Sequence, residues 1–475
     1  MLRKLLTNSL LFGISPYIPQ VINVFLLPIM TQYLTATDYG IAGTINAYTQ
    51  ALTALSTLGF NSVLGVIFYK CSFQYKILWR EIYGFLNIWM IFFAFLQGLL
   101  LYFIIPEEAA EYKWLIIALT NFSNVFFGPT ATIGNYYYVN SMKPIPIVWR
   151  SILSGIVTLL ANYILVVHYR LGYLGWYVGG FLGVFLMNAS YWYAVNVELK
   201  LSPIYNFKRK TILKYLRVSL PTVPHYYCGF LLNSSSKVIM DFYSTPLPVF
   251  GRANIMIQIS SLMENWVNAI NQAIYPMCME SIKKRDEVRA KALIYVYLGI
   301  TYFCTFIFSL WSREVFNILI SNKELASTYP YAVIFVMAFN YRPMYVGASN
   351  IFFYHEKTTS LLRLTFCSGI IAFVLYCILI PFLSIWGIVI AYFIASFYMG
   401  YAGFYMKVFK DNSKITYPIL KIAAIHLFLT AMALFFVDSD LNIKIVITIV
   451  FIACLVIKSW LPVSYTHLRA HETAA

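Results

Sequence analysis

Apolar runs of spanning length follow one another along almost the whole chain. They lie near residues 9–30, 41–68, 84–105, 114–138, 147–168, 173–195, 216–243, 249–275, 289–312, 328–350, 361–381, 384–406, 417–437 and 441–461. Each is close to the roughly 20 residues that carry an α-helix across the hydrocarbon core of a bilayer. The pattern predicts an all-α integral membrane protein of about fourteen spans, numbered 1 to 14 in chain order. The polar connections are short, so chemistry is expected within or between helices. Arg3 and Lys4 precede an apolar run without a small-residue cleavage site, which reads as the first span and not as a signal peptide.

Several spans carry more polarity than crossing a membrane requires. In span 8, Asn254, Gln258, Ser261, Asn265, Asn268 and Gln272 recur every three or four residues, one stripe along a helix face. Span 2 repeats the pattern with Asn46, Gln50, Thr53, Thr57 and Asn61. Such stripes either glue helices together, at about 0.6 kcal/mol per hydrogen bond, or face water. Six amides and hydroxyls on one face favour a hydrated cavity. Prolines add bends: Pro16, Pro19 and Pro28 in span 1, Pro221 and Pro224 in span 7, and Gly128-Pro129 in span 4.

The pattern also repeats. NYYYVNSMKPIPIVWRSILSGIVTLLANYIL (135–165) aligns with NIFFYHEKTTSLLRLTFCSGIIAFVLYCIL (350–379), matching Asn135 to Asn350, Lys143 to Lys357, Arg150 to Arg363 and Ser154-Gly155 to Ser368-Gly369. Leu174-Gly175 matches Trp386-Gly387, and QYLTATDYG (32–40) matches FYSTPLPVFG (242–251), each ending in an aromatic residue and a glycine. Each copy holds six spans, an even number, so both insert with the same orientation. Two six-helix lobes are expected, related by a pseudo-two-fold axis along the membrane normal, with a site between them. The expected division is an N-lobe at 1–195, a basic linker at 196–217, a C-lobe at 218–410 and an extra helix pair at 411–461.

Composition agrees with the membrane reading. The chain is 60% hydrophobic and 11% charged, against about 25% charged in soluble domains. The formal net charge of +16 would suit nucleic acid, but position argues for topology instead. Of 34 Lys and Arg, only Lys113, Arg170, Arg252, Arg313, Lys323 and Lys444 fall on the side opposite the N-terminus, and Lys237 and Arg342 lie within spans. The positive-inside rule then places both termini in the cytoplasm. KRKTILKYLR (208–217) is a basic amphipathic segment that either touches anionic headgroups or only sets topology. The seven cysteines show no CxxC spacing, the six histidines are scattered, and HExxH, GxSxG and GxxxxGK[ST] are absent. No enzyme, cofactor or metal is expected.

The candidate chemistry gathers in spans 7, 8 and 10. Lys237 stands well inside span 7, where a cation costs roughly 2.5–3.5 kcal/mol on insertion scales and is a site candidate by default. The alternatives are that it snorkels to an interface or pairs with Asp241 one turn on. Arg252 opens span 8, and Arg342 precedes Pro343 in span 10. Lys237, Arg342 and Arg252, with the stripe residues Asn46, Gln50, Asn254, Gln258 and Asn265, suit an anionic, polar substrate such as a diphosphate. Asp241, Glu264 and His225 are the candidates for ion pairing or coupling.

SLPTVPHYY (219–227), SKVIMDFY (236–243), INQAIYPM (270–277), YLTATDYGI (33–41) and the repeated Ser-Gly and Leu-Gly units resemble the polysaccharide-biosynthesis flippases. These are O-antigen and capsule repeat-unit exporters of the multidrug/oligosaccharidyl-lipid/polysaccharide exporter superfamily. The resemblance covers about residues 1–410. It implies a bacterial plasma-membrane protein that moves an undecaprenyl-diphosphate-linked oligosaccharide from inner to outer leaflet by alternating access, among membrane lipids and other polysaccharide-assembly proteins. Many relatives carry an Asp before the basic residue of span 7, where this chain has Ser236. A cation-coupled multidrug exporter of the same fold is the alternative. PVSYTHLRAHETAA (462–475) breaks the apolar pattern and resembles a translated sequencing-adapter tail, so His467 and His471 are set aside.

Overall fold

The computed structural model describes residues 18–71 and 73–454, and every regular element among them is helical. The C-terminal tail at 462–475, Pro16 and the start of span 1 lie outside the described residues. Helices of eight residues or more are α1 (Ile18–Tyr33), α2 (Ala36–Ser56), α3 (Phe60–Lys70), α4 (Tyr75–Ile104), α5 (Lys113–Asn140), α6 (Ile145–Asn162) and α7 (Gly172–Tyr193). They continue with α8 (Arg209–Ser219), α9 (Val223–Asn233), α10 (Ser235–Phe242), α11 (Leu247–Lys283), α12 (Glu287–Leu310) and α13 (Ser312–Leu319). The last are α14 (Tyr329–Ala338), α15 (Tyr341–Tyr354), α16 (Thr358–Leu383), α17 (Ile385–Tyr401), α18 (Ile419–Phe436) and α19 (Leu441–Cys454).

Joining pieces that continue one another, nine helices among the described residues are long and apolar enough to cross a membrane. The longest helix, α11 with 37 residues, is not one of them, because its polar stripe lowers its hydropathy. Large apolar side chains point outward along the long helices, as Phe92, Phe95 and Phe103 do on α4 at 65%, 73% and 76% exposure. Such a surface suits hydrocarbon and would be an aggregation liability in water.

Packing divides the chain within α11. One unit takes in the chain up to Gln258 with Ile318–Ala326 and Leu362–Ala395; the other takes in Ile259–Asn317, Ser327–Leu361 and the chain from Ser396. The first unit is held locally by capping. Thr35 and Asp38 form a reciprocal capping box at the start of α2, with Asp38 Oδ2 accepting from the Thr35 backbone N–H at 2.7 Å. Asp38 Oδ1 also accepts from the backbone N–H of Tyr173 at 3.0 Å, fastening the start of α7. One carboxylate of the TATDYG motif therefore caps two helices.

The duplicated motifs meet in this unit. A Cβ on Gly40 would strike the carbonyl of Leu247, and one on Gly251 would strike the carbonyl of Ala36, so α2 and α11 approach backbone to backbone. Each glycine faces the residue four positions before the other, a reciprocal contact that only hydrogen side chains permit. Turns repeat as well. Met142 (φ 55°) and Glu356 (φ 57°) adopt the same left-handed conformation after matching helices, as do Arg170 (φ 54°) and Ser384 (φ 52°). Gly175 backs onto the carbonyl of Leu165, and its match Gly387 onto that of Leu379.

In the second unit, buried polar contacts dock the C-terminal helices. His426 on α18 is fully buried, with its Nε2 2.8 Å from the Met337 carbonyl and Nδ1 3.3 Å from the Tyr401 hydroxyl. Lys444 on α19 reaches both carboxylate oxygens of Glu314, at 2.7 and 2.8 Å. The Trp311 indole N–H donates to Thr448 at 3.1 Å.

Candidate functional site

Span 7 is the most broken of the predicted spans. Leu220–Thr222 is a single tight turn at Pro221, α9 follows with Pro224 in its first turn, and Ser234 separates α9 from α10. Pro at the start of a helix removes an N–H that has no partner there anyway. At the second break the Ser234 hydroxyl donates to Gln50 Oε1 on α2 at 2.8 Å, and Ser235 Oγ donates to the Leu231 carbonyl at 2.6 Å.

The break puts Lys237 in the first turn of the eight-residue α10 and Asp241 in its last turn. Both charges oppose the helix dipole, which disfavours a cation at the N-terminus and an anion at the C-terminus by about 0.3–1 kcal/mol each. They do not offset one another by pairing. Lys237 Nζ donates to Asn254 Oδ1 at 2.7 Å, while Asp241 Oδ2 accepts from the Tyr48 hydroxyl at 2.7 Å. No carboxylate among the described residues stands within 4 Å of Lys237. Asn254, 7% exposed, is itself held by a bond from its side-chain N–H to the Tyr39 carbonyl at 3.2 Å. The Tyr227 hydroxyl donates to the Ala51 carbonyl at 3.0 Å. The result is a polar seam along α2, α9, α10 and the start of α11. It contains Gln50, Asn254, Lys237 and Asp241 from the sequence candidates, together with Tyr39, Tyr48 and Ser234.

Of the remaining candidates, Asn46 is exposed on α2, His225 is exposed at the start of α9, and Gln258 is half-buried on α11. Arg252 comes within 4.0 Å of Glu324 through its Nε. Arg342, Glu264 and the half-buried Asn265 belong to the second unit. There span 10 breaks at Phe339–Asn340, between α14 and α15, and Arg342 follows the break. Its Nε and Nη2 donate to Asn268 Oδ1 at 3.1 and 2.7 Å, its Nη1 to the Tyr341 hydroxyl at 2.9 Å, and Glu264 stands 3.9 Å away. This cation has a carboxylate beside it, which Lys237 has not.

A second polar feature of the first unit is a cavity of about 440 Å³ among α2, α4, α5 and α7. Gln97 Oε1 lines it with no hydrogen-bond partner among the described residues, on a residue 3% exposed. The stripe on α2 pointed toward it through Thr53 and Thr57, but Gln97 stood alone in an apolar run and carried no periodic signal. Two buried charges were also missed. Glu81 falls in the polar connection before span 3, yet α4 begins at Tyr75 and buries it to 7% exposure. Lys444 counts with the loops in the charge pattern, yet its side chain is fully buried. No group of three His, Cys, Asp or Glu that could hold a metal occurs among the described residues.

Solved structures share this fold. The chain is similar to the lipid II flippase MurJ in an inward closed conformation, with TM-score 0.75, 14% identity, and 95% of this chain and 99% of that one covered. It is also similar to an outward-facing multidrug resistance MATE family transporter of the MOP superfamily, with TM-score 0.59, 15% identity, and coverage of 86% and 97%. A variant of the Vibrio cholerae MATE transporter VcmN gives TM-score 0.50 at 14% identity, with coverage of 86% and 96%. No family model and no curated protein matches the sequence. The all-helical architecture is thus the one seen in MurJ and the MATE structures.

Proposed function

We propose that the protein is a flippase that carries a diphosphate-linked lipid oligosaccharide, an O-antigen, capsule or exopolysaccharide repeat unit, from the inner to the outer leaflet of a bacterial plasma membrane. The observation that carries this reading is Lys237: a cation in the first turn of α10, met by an amide oxygen and, among the described residues, by no carboxylate. An ammonium and a helix N-terminus of the same sign favour an anion beside them. A diphosphate supplies that anion, and the amides along α2 and α11 supply partners for sugar hydroxyls. The likeness in fold to a lipid II flippase supports the same choice.

In this reading all fourteen spans cross the membrane with both termini cytoplasmic. The working lobes are residues 1–195 and 218–410, joined by the basic linker 196–217, with 411–461 as an extra pair. Alternating access would require α2 and α11 to part at the Gly40 and Gly251 contact. With the cytoplasm negative, an anion moving outward gains about 2.3 kcal/mol per charge per 100 mV while its charge is not neutralised.

The test is transport in vesicles reconstituted with the purified full chain and a fluorescent polyprenyl-diphosphate oligosaccharide, read by leaflet-selective quenching. The expected result is protein-dependent flipping, reduced about tenfold or more in Lys237→Ala and partly retained in Lys237→Arg. Equal flipping with and without protein overturns the proposal. Stabilisation by organic cations alone would favour a multidrug exporter instead.

A further inference from the structure

The cavity among α2, α4, α5 and α7 has a wall of unusual composition. Nine of its fifteen lining residues are hydroxyls or amides, and none is ionisable. Five of the six hydroxyl protons are already committed. Thr49, Thr53 and Ser56 donate to carbonyls of α2 at 3.0, 2.8 and 2.7 Å, and Thr120 and Thr132 to carbonyls of α5 at 2.8 and 3.1 Å. Asn124 donates its amide to the Thr120 carbonyl at 3.0 Å, and Asn188 to Ser123 at 3.1 Å. What these five hydroxyls present to the cavity is therefore lone pairs, Gln97 adds a buried Oε1 with no partner among the described residues, and the amides of Gln97, Asn124 and Asn188 add N–H donors. Leu86, Met90, Phe93 and Pro129 form the apolar part of the wall.

A wall with more acceptors than donors suits a ligand rich in donors, because a buried acceptor left unpaired, as Gln97 Oε1 is among the described residues, is costly. Ammonium ions, metal cations and polyhydroxyl compounds all meet that demand. The wall has no carboxylate to balance a cation, whereas a neutral donor needs none. A saccharide has neutral hydroxyl donors on its edge and C–H faces that pack on apolar and aromatic side chains. A volume of 440 Å³ falls in the usual range of about 300–1,000 Å³ for small-molecule sites.

We infer that this cavity is a binding site for a neutral saccharide unit, with Gln97 Oε1 as its most deeply buried acceptor. The inference rests on the flippase reading and deepens it: the sugar end of the substrate has its own seat, separate from the Lys237 seam.

Titration calorimetry on the detergent-purified full chain tests it, with galactose, N-acetylglucosamine, lactose, tetraethylammonium chloride and sodium chloride as probes. At least one of the three sugars is expected to bind at millimolar concentration. Gln97→Leu should weaken it about tenfold, the loss of one well-made hydrogen bond, and Thr132→Val severalfold. Lys237→Ala should leave sugar binding unchanged. Thr132→Val decides alone if Gln97→Leu does not yield folded protein. Absence of sugar binding in the natural chain, binding indifferent to both substitutions, or binding of the two salts alone overturns the inference. Sugar bound through Gln97 without any flipping in vesicles would sink the flippase and leave the cavity standing. Flipping with no effect of Gln97→Leu or Thr132→Val on sugar affinity would do the reverse.

Discussion

Lys237 on α10 and Lys444 on α19 are held in opposite ways. Lys444 has a fully buried side chain, two carboxylate bonds to Glu314 and the ring of Trp311 at 5.9 Å. Lys237 has one bond, to a neutral amide. The first is a closed arrangement whose charge is balanced inside the protein, and it fastens α19 to the second unit. The second leaves a positive charge unbalanced, in a helix turn whose dipole adds to it. What separates the two cations is the partner: a carboxylate for Lys444, an amide oxygen for Lys237.

The largest effect on stability is expected from opening the closed pair. Glu314→Ala leaves the Lys444 ammonium buried without a counter-charge and should destabilise the protein by about 3–5 kcal/mol, read as a lowered melting temperature in detergent. The double substitution Glu314→Leu with Lys444→Met should recover most of that loss, because an apolar pair of similar volume replaces a buried ammonium and its partly exposed carboxylate. A double variant as unstable as the single one would mean that the ion pair itself, not its imbalance, holds α19.

A smaller effect is expected at Asp241. Tyr48→Phe removes the hydroxyl that donates to its carboxylate and should cost about 1.5–3 kcal/mol, the range for bonds to charged groups. No change in melting temperature would show that Asp241 finds another donor. The smallest effect on stability is expected from Lys237→Met, within about 1 kcal/mol, since the lost bond is offset by relief of a desolvated ammonium. If the proposed flippase activity holds, the same variant should lose it. A melting temperature that falls as far as that of Glu314→Ala, with flipping intact, would make Lys237 structural and erase the contrast.

The difference between these lysines was only half visible in the sequence. Lys237 stands out because it interrupts an apolar run, and that signal needs no partner to be read. Lys444 hid because it stands at the start of the last apolar run, just after Asp438 and Asp440, so the charge pattern counts it with the connection. Glu81 hid for a similar reason, beside Arg80 in a stretch that hydropathy assigns to a loop and α4 takes into its second turn. Gln97, one amide in an apolar stretch, has no periodicity to mark it. Expectations built on neighbours in sequence fared less well: Lys237 and Asp241 are one turn apart yet choose Asn254 and Tyr48, from other helices.

What the sequence determined by itself is whatever depends on one helix and its solvent. Apolar length sets the spans, the Lys and Arg distribution sets the expected orientation, and spacings of three and four set the polar stripes on α2 and α11. The duplication was equally legible, down to the aromatic-glycine pairs. Only the tertiary structure decided which polar atoms meet: that the two glycines pack reciprocally, that Arg342 has Glu264 beside it while Lys237 has none, and that Gln97 faces a cavity. The physical reason is range. Transfer into a bilayer is a sum over single side chains, whereas a hydrogen bond or ion pair needs two groups within about 3–4 Å, and only the packed chain brings them there.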